Sequence, residues 1–138
     1  MSSNFANLYR VNDSSFEEIL NDKDIKGVVI SAPVPLHAPL GIKAMNAGKH
    51  VYIEKPLAMN NIEAKNLIKA SKDNNVQLMV GHLLQYHPVF IELLKLIKLS
   101  ELGNLHYLYS NRLSFGKIRS EEDVIWSFAP HDISMILS

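Results

Sequence analysis

Along most of this chain the apolar positions switch between two rhythms, short β-branched runs and longer stretches spaced as on a helix face. Ser15 with Glu18 three residues on is a capping box. It opens a short helix that carries Phe16, Ile19 and Leu20 inward and stops near Asp22, because Asn21, Asp22 and Asp24 favour turns. Gly27 to Ala32 then runs Gly-Val-Val-Ile-Ser-Ala without polar alternation, the pattern of a strand covered on both faces of a parallel sheet. Pro33 and Pro35 end it, since neither donates to a ladder. A second helix is expected from Pro39 to Ala47, with Leu40, Ala44 and Ala47 on one face and Gly48 at the left-handed C-cap. Val51 to Ile53 is a second buried strand. Asn60 and Glu63 start a further helix whose packed face holds Ala64, Leu67, Ile68 and Ser71, until the polar cluster Lys72 to Asn75 stops it. Gln77 to Val80 is the third strand.

Strands separated by helices of this length are βαβ units, with right-handed crossovers and ligand-binding loops at the strands' carboxyl ends. After Gly81 the character changes. Pro88 suits the first turn of a helix in which Phe90, Leu93, Leu94 and Ile97 recur on one face, and Gly103 ends it. Leu105 to Phe115 alternates, with Leu105, Tyr107, Tyr109, Leu113 and Phe115 on one side and His106, Ser110, Arg112 and Ser114 on the other. That predicts a half-buried strand of the antiparallel kind. A domain boundary is expected between Gly81 and Pro88, giving a first unit over 1–86 and the start of a second over 87–138. The fold class is α/β, a partial doubly wound parallel sheet followed by the beginning of an α+β domain. Both ends look cut: Ile133, Ile136 and Leu137 form an apolar helical pattern without a C-cap, and one alternating strand cannot make a sheet alone.

The 138 residues hold 14 basic and 14 acidic side chains, so no global charge points to a nucleic acid or an anionic membrane as partner. The absence of cysteine excludes a disulfide framework, a thiol nucleophile and thiolate metal sites, and fits the cytoplasm. No apolar run has the length of a signal peptide core or a membrane span.

A doubly wound sheet invites a search for the phosphate-binding glycine loop. The glycines stand at 27, 41, 48, 81, 103 and 116, no two closer than seven residues, so the fingerprint is absent. Glu54, Lys55 and Pro56 fall at the carboxyl end of the second strand, where α/β sheets place ligand contacts. A lysine beside a glutamate there can donate a proton or orient a hydroxyl; a solvated loop ion pair is the competing reading.

The motifs Ala-Pro-x-x-x-His (32 to 37), Ala-Gly-Lys-His-Val-x-x-Glu-Lys-Pro (47 to 56), Val-Gly-His (80 to 82) and His-Asp (131 to 132) together resemble the glucose-fructose oxidoreductase / inositol dehydrogenase family of NAD(P)-dependent sugar oxidoreductases. The resemblance covers most of the chain and begins after that family's first strand, glycine loop, first helix and second strand. The fold it implies is Rossmann-like with its first βαβ unit missing, and most of the C-terminal domain is absent. The cofactor implied is NAD or NADP; the reaction is hydride transfer between nicotinamide and a secondary alcohol of a sugar. The tail from Ser110 is similar to members acting on nucleotide-linked amino-sugar acids. By the resemblance, Ser31, Ala32, Pro33 and His37 lie along the nicotinamide half of the cofactor. Glu54 and Lys55 contact the nicotinamide ribose and the reacting hydroxyl. His131 is the general base, and Asp132 orients it or the helix start at the substrate. Two positions depart from the pattern: Ser127 stands where many members carry aspartate, and Gln85 where many carry arginine. The complete protein is expected to be a homo-oligomer acting on a small sugar or nucleotide-sugar. The alternative is a non-catalytic remnant or interaction fragment of such an enzyme.

Arg112, Lys117 and Arg119 suit a carboxylate or diphosphate, or equally a wet basic face. Trp126 is read as core in preference to a sugar platform. His82, His87, His131 and Asp132 match no helical or hairpin ligand spacing, so no metal is expected. His50 and His106 are read as solvated or locally bonded. Tyr86, Tyr107 and Tyr109 lack the basic stripe of a base-stacking platform.

Overall fold

A computed structural model of the chain describes residues 2–113 and 123–138, with side chains from Ala6 onward except that of Val124. Helix α1 (Ser2–Tyr9) precedes α2 (Phe16–Asn21), β1 (Gly27–Ile30), α3 (His37–Asn46), β2 (His50–Ile53), α4 (Asn61–Asp73), β3 (Leu78–Val80), α5 (Pro88–Lys98) and α6 (Val124–Ile136). Single 3₁₀ turns occupy Val34–Leu36 and Leu83–Tyr86. The expected caps close as read. Ser15 Oγ accepts from Glu18 N at 3.2 Å while Glu18 Oε2 accepts from Ser15 N at 2.7 Å, and Asn60 Oδ1 accepts from Glu63 N at 2.9 Å. Gly48 takes φ +76°, where a Cβ would be strained.

The three strands are parallel in the order β1-β2-β3, with Ile30 opposite Ile53 and Ile53 opposite Val80. Right-handed crossovers that step the same way place their helices on one side of a sheet. That side holds the core: Ile30, Val51 and Ile53 pack with Ala44, Met45, Leu67 and Ala70. Gly41 allows the close approach of α3, since a Cβ there would meet Ile53 Cδ1 and Leu67 Cδ2, each at 2.8 Å.

The opposite side differs from the expectation of a sheet covered on both faces. Val29 is 71% and Met79 42% exposed, and Tyr52 between them is half-buried. No described element packs there, because both crossovers return on the other side. Ile68, expected on the packed face of α4, is also 45% exposed; that face is narrower and centres on Leu67 and Ala70.

A second correction concerns the alternating stretch. Residues 104–113 form no ladder and are exposed throughout, Tyr107 at 84%. A strand needs a partner, and none of the described residues offers one. Ser114 and Phe115, the end of that pattern, lie outside the described residues, as do the basic candidates Lys117 and Arg119. Helix α5 starts at Pro88 as read; Phe90, Leu94 and Ile97 are half-buried, Leu93 remains exposed, and no residue of the helix is fully buried.

Candidate active site at the carboxyl edge of the sheet

Parallel pairing brings the exits of all three strands to one edge, so the segments after Ile30, Ile53 and Val80 meet there. After β1, Ser31 and Pro33 are exposed and Ala32 is half-buried. His37, by contrast, is 1% exposed. Its Nδ1 lies 2.8 Å from the Pro56 carbonyl and its Nε2 2.8 Å from the Ala32 carbonyl, so the ring ties the loop after β1 to the loop after β2. Of the four residues expected along the cofactor, the structure leaves Ser31, Ala32 and Pro33 at the rim and encloses His37 beneath it.

After β2, Glu54 N donates to Ile30 O at 3.0 Å, which fixes this turn to β1. The Glu54 carboxylate folds back: Oε2 accepts from Lys55 N at 3.2 Å, and Oε1 lies 3.5 Å from the Tyr52 hydroxyl. Burial first, then the Glu54 charge, pushes the Tyr52 phenol up. Gly81 makes room for this pair, because a Cβ there would stand 2.7 Å from Tyr52 Oη and 3.0 Å from Glu54 Oε2. The Lys55–Pro56 peptide is cis. Lys55 is half-buried, and its Nζ donates to the Ser127 carbonyl of α6 at 2.7 Å. A loop ion pair does not describe it: its polar partner is a main-chain carbonyl 72 residues away.

Helix α6 starts where Asp123 Oδ1 accepts from Trp126 N at 2.9 Å. Pro130 within it has no N–H, so the helical ladder is interrupted at this turn, next to the carbonyl that Lys55 takes. Ser127, His131 and Ser134 recur at helical spacing on the side facing the sheet edge. Ser134 O accepts from Gln85 Nε2, which gives the departure at position 85 a visible role in holding α6.

His131 meets His82, which follows β3 directly. The two rings are edge to face, with centroids 6.3 Å apart and planes at 79°. The Nδ1 atoms of both are buried without a hydrogen-bond partner. Burial, then the Lys55 ammonium, holds His82 below the ordinary imidazole value. Burial, then Lys55, Arg112 and His82, does the same for His131, against the opposing Asp132 charge. Asp132 Oδ2 accepts from Arg112 Nε at 2.5 Å, and that bond chiefly holds its carboxyl below the usual range. Arg112 and Asp132, both read as substrate-side residues, are thus joined to each other, while Lys117 lies outside the described residues.

Beside this cluster a groove of about 380 Å³ runs between Pro56, Leu57, His82, Trp126 and Pro130. Trp126 is not core: it is 41% exposed and forms part of this wall. In the sequence His82 belongs to the Val-Gly-His motif and to the set weighed for a metal, with no place assigned to it in the site. The signal available was its place, one residue beyond a glycine at the carboxyl end of the third strand. Among the described residues no group of His, Asp and Glu is arranged to hold a metal ion. His50 Nδ1 accepts from Gln77 N at 3.0 Å, a local bond as expected. No described helix is long and apolar enough to cross a membrane.

A family model described as "Oxidoreductase family, NAD-binding Rossmann fold" matches residues 2–82. Trans-1,2-dihydrobenzene-1,2-diol dehydrogenase of Xenopus laevis is 32% identical over 117 residues, 83% of this chain and 34% of its own length. Inositol 2-dehydrogenase of Salmonella typhimurium is 31% identical over 91 residues, 65% of this chain and 27% of its own. The solved NAD-binding protein from Listeria innocua superposes with a TM-score of 0.81 over 97% of this chain and 42% of its own, at 21% identity, a likeness of fold alone. The chain spans about a third of the length of the curated relatives it matches. The parallel βαβ frame and the match over residues 2–82 place this chain in the glucose-fructose oxidoreductase / inositol dehydrogenase family of oxidoreductases, whose cofactor domain is an NAD-binding Rossmann fold.

Proposed function

We propose that this chain supplies the reaction-side part of a nicotinamide-dependent dehydrogenase that oxidises a secondary alcohol of a sugar or nucleotide-linked sugar acid. The observation that carries the reading is the convergence of Lys55, His131 and His82 at the strands' carboxyl edge, with two buried ring nitrogens left unbonded. Buried polar atoms are nearly always satisfied in folded proteins, so an unbonded pair beside a lysine suits a site whose partner is a ligand.

The residues present fit the nicotinamide half of NAD or NADP. Ser31, Ala32 and Pro33 are accessible at the rim, and Glu54 and Lys55 stand next to them. Gly41, which follows β1 in the chain, is packed under Ile53 and Leu67 and offers no phosphate cradle. The cofactor, when bound, supplies a hydride acceptor at the nicotinamide. The protein's own part is position and proton handling. Lys55, anchored on Ser127 O, presents its remaining N–H bonds to the substrate hydroxyl. His131, kept neutral by burial and by Lys55, takes the hydroxyl proton. Arg112 with Asp132 fixes the outer side of α6, and Arg112 binds the acidic part of the substrate; Lys117, outside the described residues, is assigned the same role from the sequence alone. Residues 1–86 make up the cofactor-side unit and 87–138 begin the substrate unit, a division supported by the absence of any fully buried residue in α5. The complete enzyme works as a homo-oligomer in the cytoplasm.

The test is a dehydrogenase assay on the assembled enzyme, following NAD(P)H formation over a panel of polyols, sugar acids and nucleotide-sugars. Turnover of at least one, lost in Lys55→Ala, is the expected result; no turnover across the panel with either cofactor overturns the reading. The uncovered face of β1 and β3, with Val29 and Met79 exposed, favours a second reading in which this chain serves as an interaction piece of such an enzyme.

A further inference from the structure

We infer that His82 is a substrate-binding residue, its Nδ1 hydrogen-bonding a ligand oxygen adjacent to the one that His131 engages. This rests on the dehydrogenase reading above and adds to it a second imidazole, from a different element, that no motif of the chain assigned to the substrate.

Three observations carry it. First, the position is fixed by backbone. Gly81 N donates to Ile53 O at 2.8 Å, and His82 N donates to Val80 O at 2.7 Å, closing a three-residue turn about Gly81, while His82 itself sits at φ −83°, ψ 63°. The ring therefore leaves the sheet at the rim where Lys55 leaves it one strand away. Second, the ring is half-buried between Pro56, Leu57 and α6, and it lines the groove that Trp126 walls. Third, its Nδ1 is unbonded in the same neighbourhood as the unbonded Nδ1 of His131, and the two rings stand edge to face 6.3 Å apart. A purely structural histidine in such a place ties loops together, as His37 does by lying between the Pro56 and Ala32 carbonyls. His82 has the burial of a structural residue without the bonds of one.

The geometry also fixes the ligand chemistry. Two imidazoles, each with one buried ring nitrogen left unbonded, and a lysine ammonium recognise neighbouring oxygens, one donated to and one accepted from. Adjacent hydroxyls, or a hydroxyl beside a carbonyl, meet that requirement; an isolated alcohol leaves one nitrogen unbonded.

The experiment uses the 138-residue chain carrying 13C-labelled histidine, observed by NMR in the presence of excess NADH and titrated with myo-inositol, glucuronate and UDP-glucuronate. The expected result is that His82 and His131 resonances shift together and saturably with at least one probe. His82→Phe should then weaken that binding at least about fivefold, while His82→Asn, whose amide nitrogen stands near the place of Nδ1, stays within about twofold. If His131 responds, His82 does not, and His82→Phe binds like the parent, the inference fails and the dehydrogenase reading survives. If no probe moves either ring, the inference fails, and the dehydrogenase reading stands or falls separately on the turnover assay of the assembled enzyme. The unmodified chain's own His82 signal decides the matter should a variant not fold.

Discussion

The Nζ of Lys55 donates to the main-chain carbonyl of Ser127 at 2.7 Å, bridging the exit of β2 to the turn of α6 that Pro130 interrupts. Ser127 contributes its backbone, so the side chain at that position is not what holds the lysine. The aspartate that many family members carry there is replaced without loss of an acceptor for Lys55. The bond holds the ammonium beside His82 and His131 and docks α6 on the exit of β2, so under the proposed function one side chain serves both the substrate and a helix.

Lys55→Ala therefore has two separable consequences. Under the proposed function, turnover of the assembled enzyme should fall at least about tenfold while cofactor affinity stays within a few-fold, since the lysine is assigned to the reacting hydroxyl and not to the cofactor. In the chain itself, backbone amides of α6 exchange with solvent faster, while those of α4 keep their protection. Unchanged turnover removes the catalytic role; unchanged exchange in α6 removes the docking role.

The two imidazoles give the pH dependence a definite sign. Both are held below the ordinary value of 6.5, by burial first and the Lys55 charge second. The unfolded chain binds protons more readily than the folded one in the window between 6.5 and the lowered values. Their contribution to stability is thus complete above pH 6.5 and is lost as pH falls through the folded values, levelling off beneath them. Denaturant unfolding measured from pH 8 down to pH 4 should show this loss, and His82→Gln with His131→Gln should flatten it. Oxidation should likewise retain its rate to below pH 6.5, since His131 has to be neutral to accept the proton.

Much of the frame was legible because its signals are local. The Ser15 and Glu18 box, the Asn60 cap and the left-handed Gly48 each depend on a few neighbouring residues, and all three close as the chain spells them. What the sequence hid depends on partners. The alternation from Leu105 onward is genuine, yet a strand exists only when another pairs with it. Val29 is β-branched like its buried neighbour Ile30, and only the direction of the crossovers decides which of them is covered. The candidate site divides the same way. Lys55 is found from the end of its strand. The partnership of His82 with His131 joins positions 49 apart, which no spacing rule connects.

Lys49 shows a structural role inside a motif that resembled a functional one. It is 5% exposed, and its Nζ donates to the carbonyls of Asp22 and, at 2.9 Å, Ile25, closing the end of α2 against the start of β2. Lys49→Met keeps the volume and leaves two acceptors unpaired, each costing about 1–3 kcal/mol. Chemical unfolding should register a loss of about 2–6 kcal/mol, and the His82 and His131 resonances should stay in place. A loss under about 0.5 kcal/mol would mean that water replaces the ammonium.

The narrow packed face of α4 yields the sharpest contrast in stability. Leu67 is fully buried against Ile53 and the notch that Gly41 leaves, while its neighbour Ile68 is 45% exposed. Leu67→Ala should cost about 2–5 kcal/mol, as removal of a buried side chain leaves a cavity that helix and sheet only partly close. Ile68→Ala should cost about 1 kcal/mol or less, since half of that side chain already meets water. Filling the notch works from the other side. Gly41→Ala drives a methyl to within 2.8 Å of both Ile53 Cδ1 and Leu67 Cδ2, two side chains with no exposed surface into which to retreat. The expected cost is about 1–3 kcal/mol. Because the clash is with Leu67 itself, the double variant Gly41→Ala with Leu67→Ala should be more stable than the sum of the two losses predicts. Denaturation midpoints of the four proteins measure that coupling. Strict additivity would show that α3 meets β2 and α4 through atoms other than these.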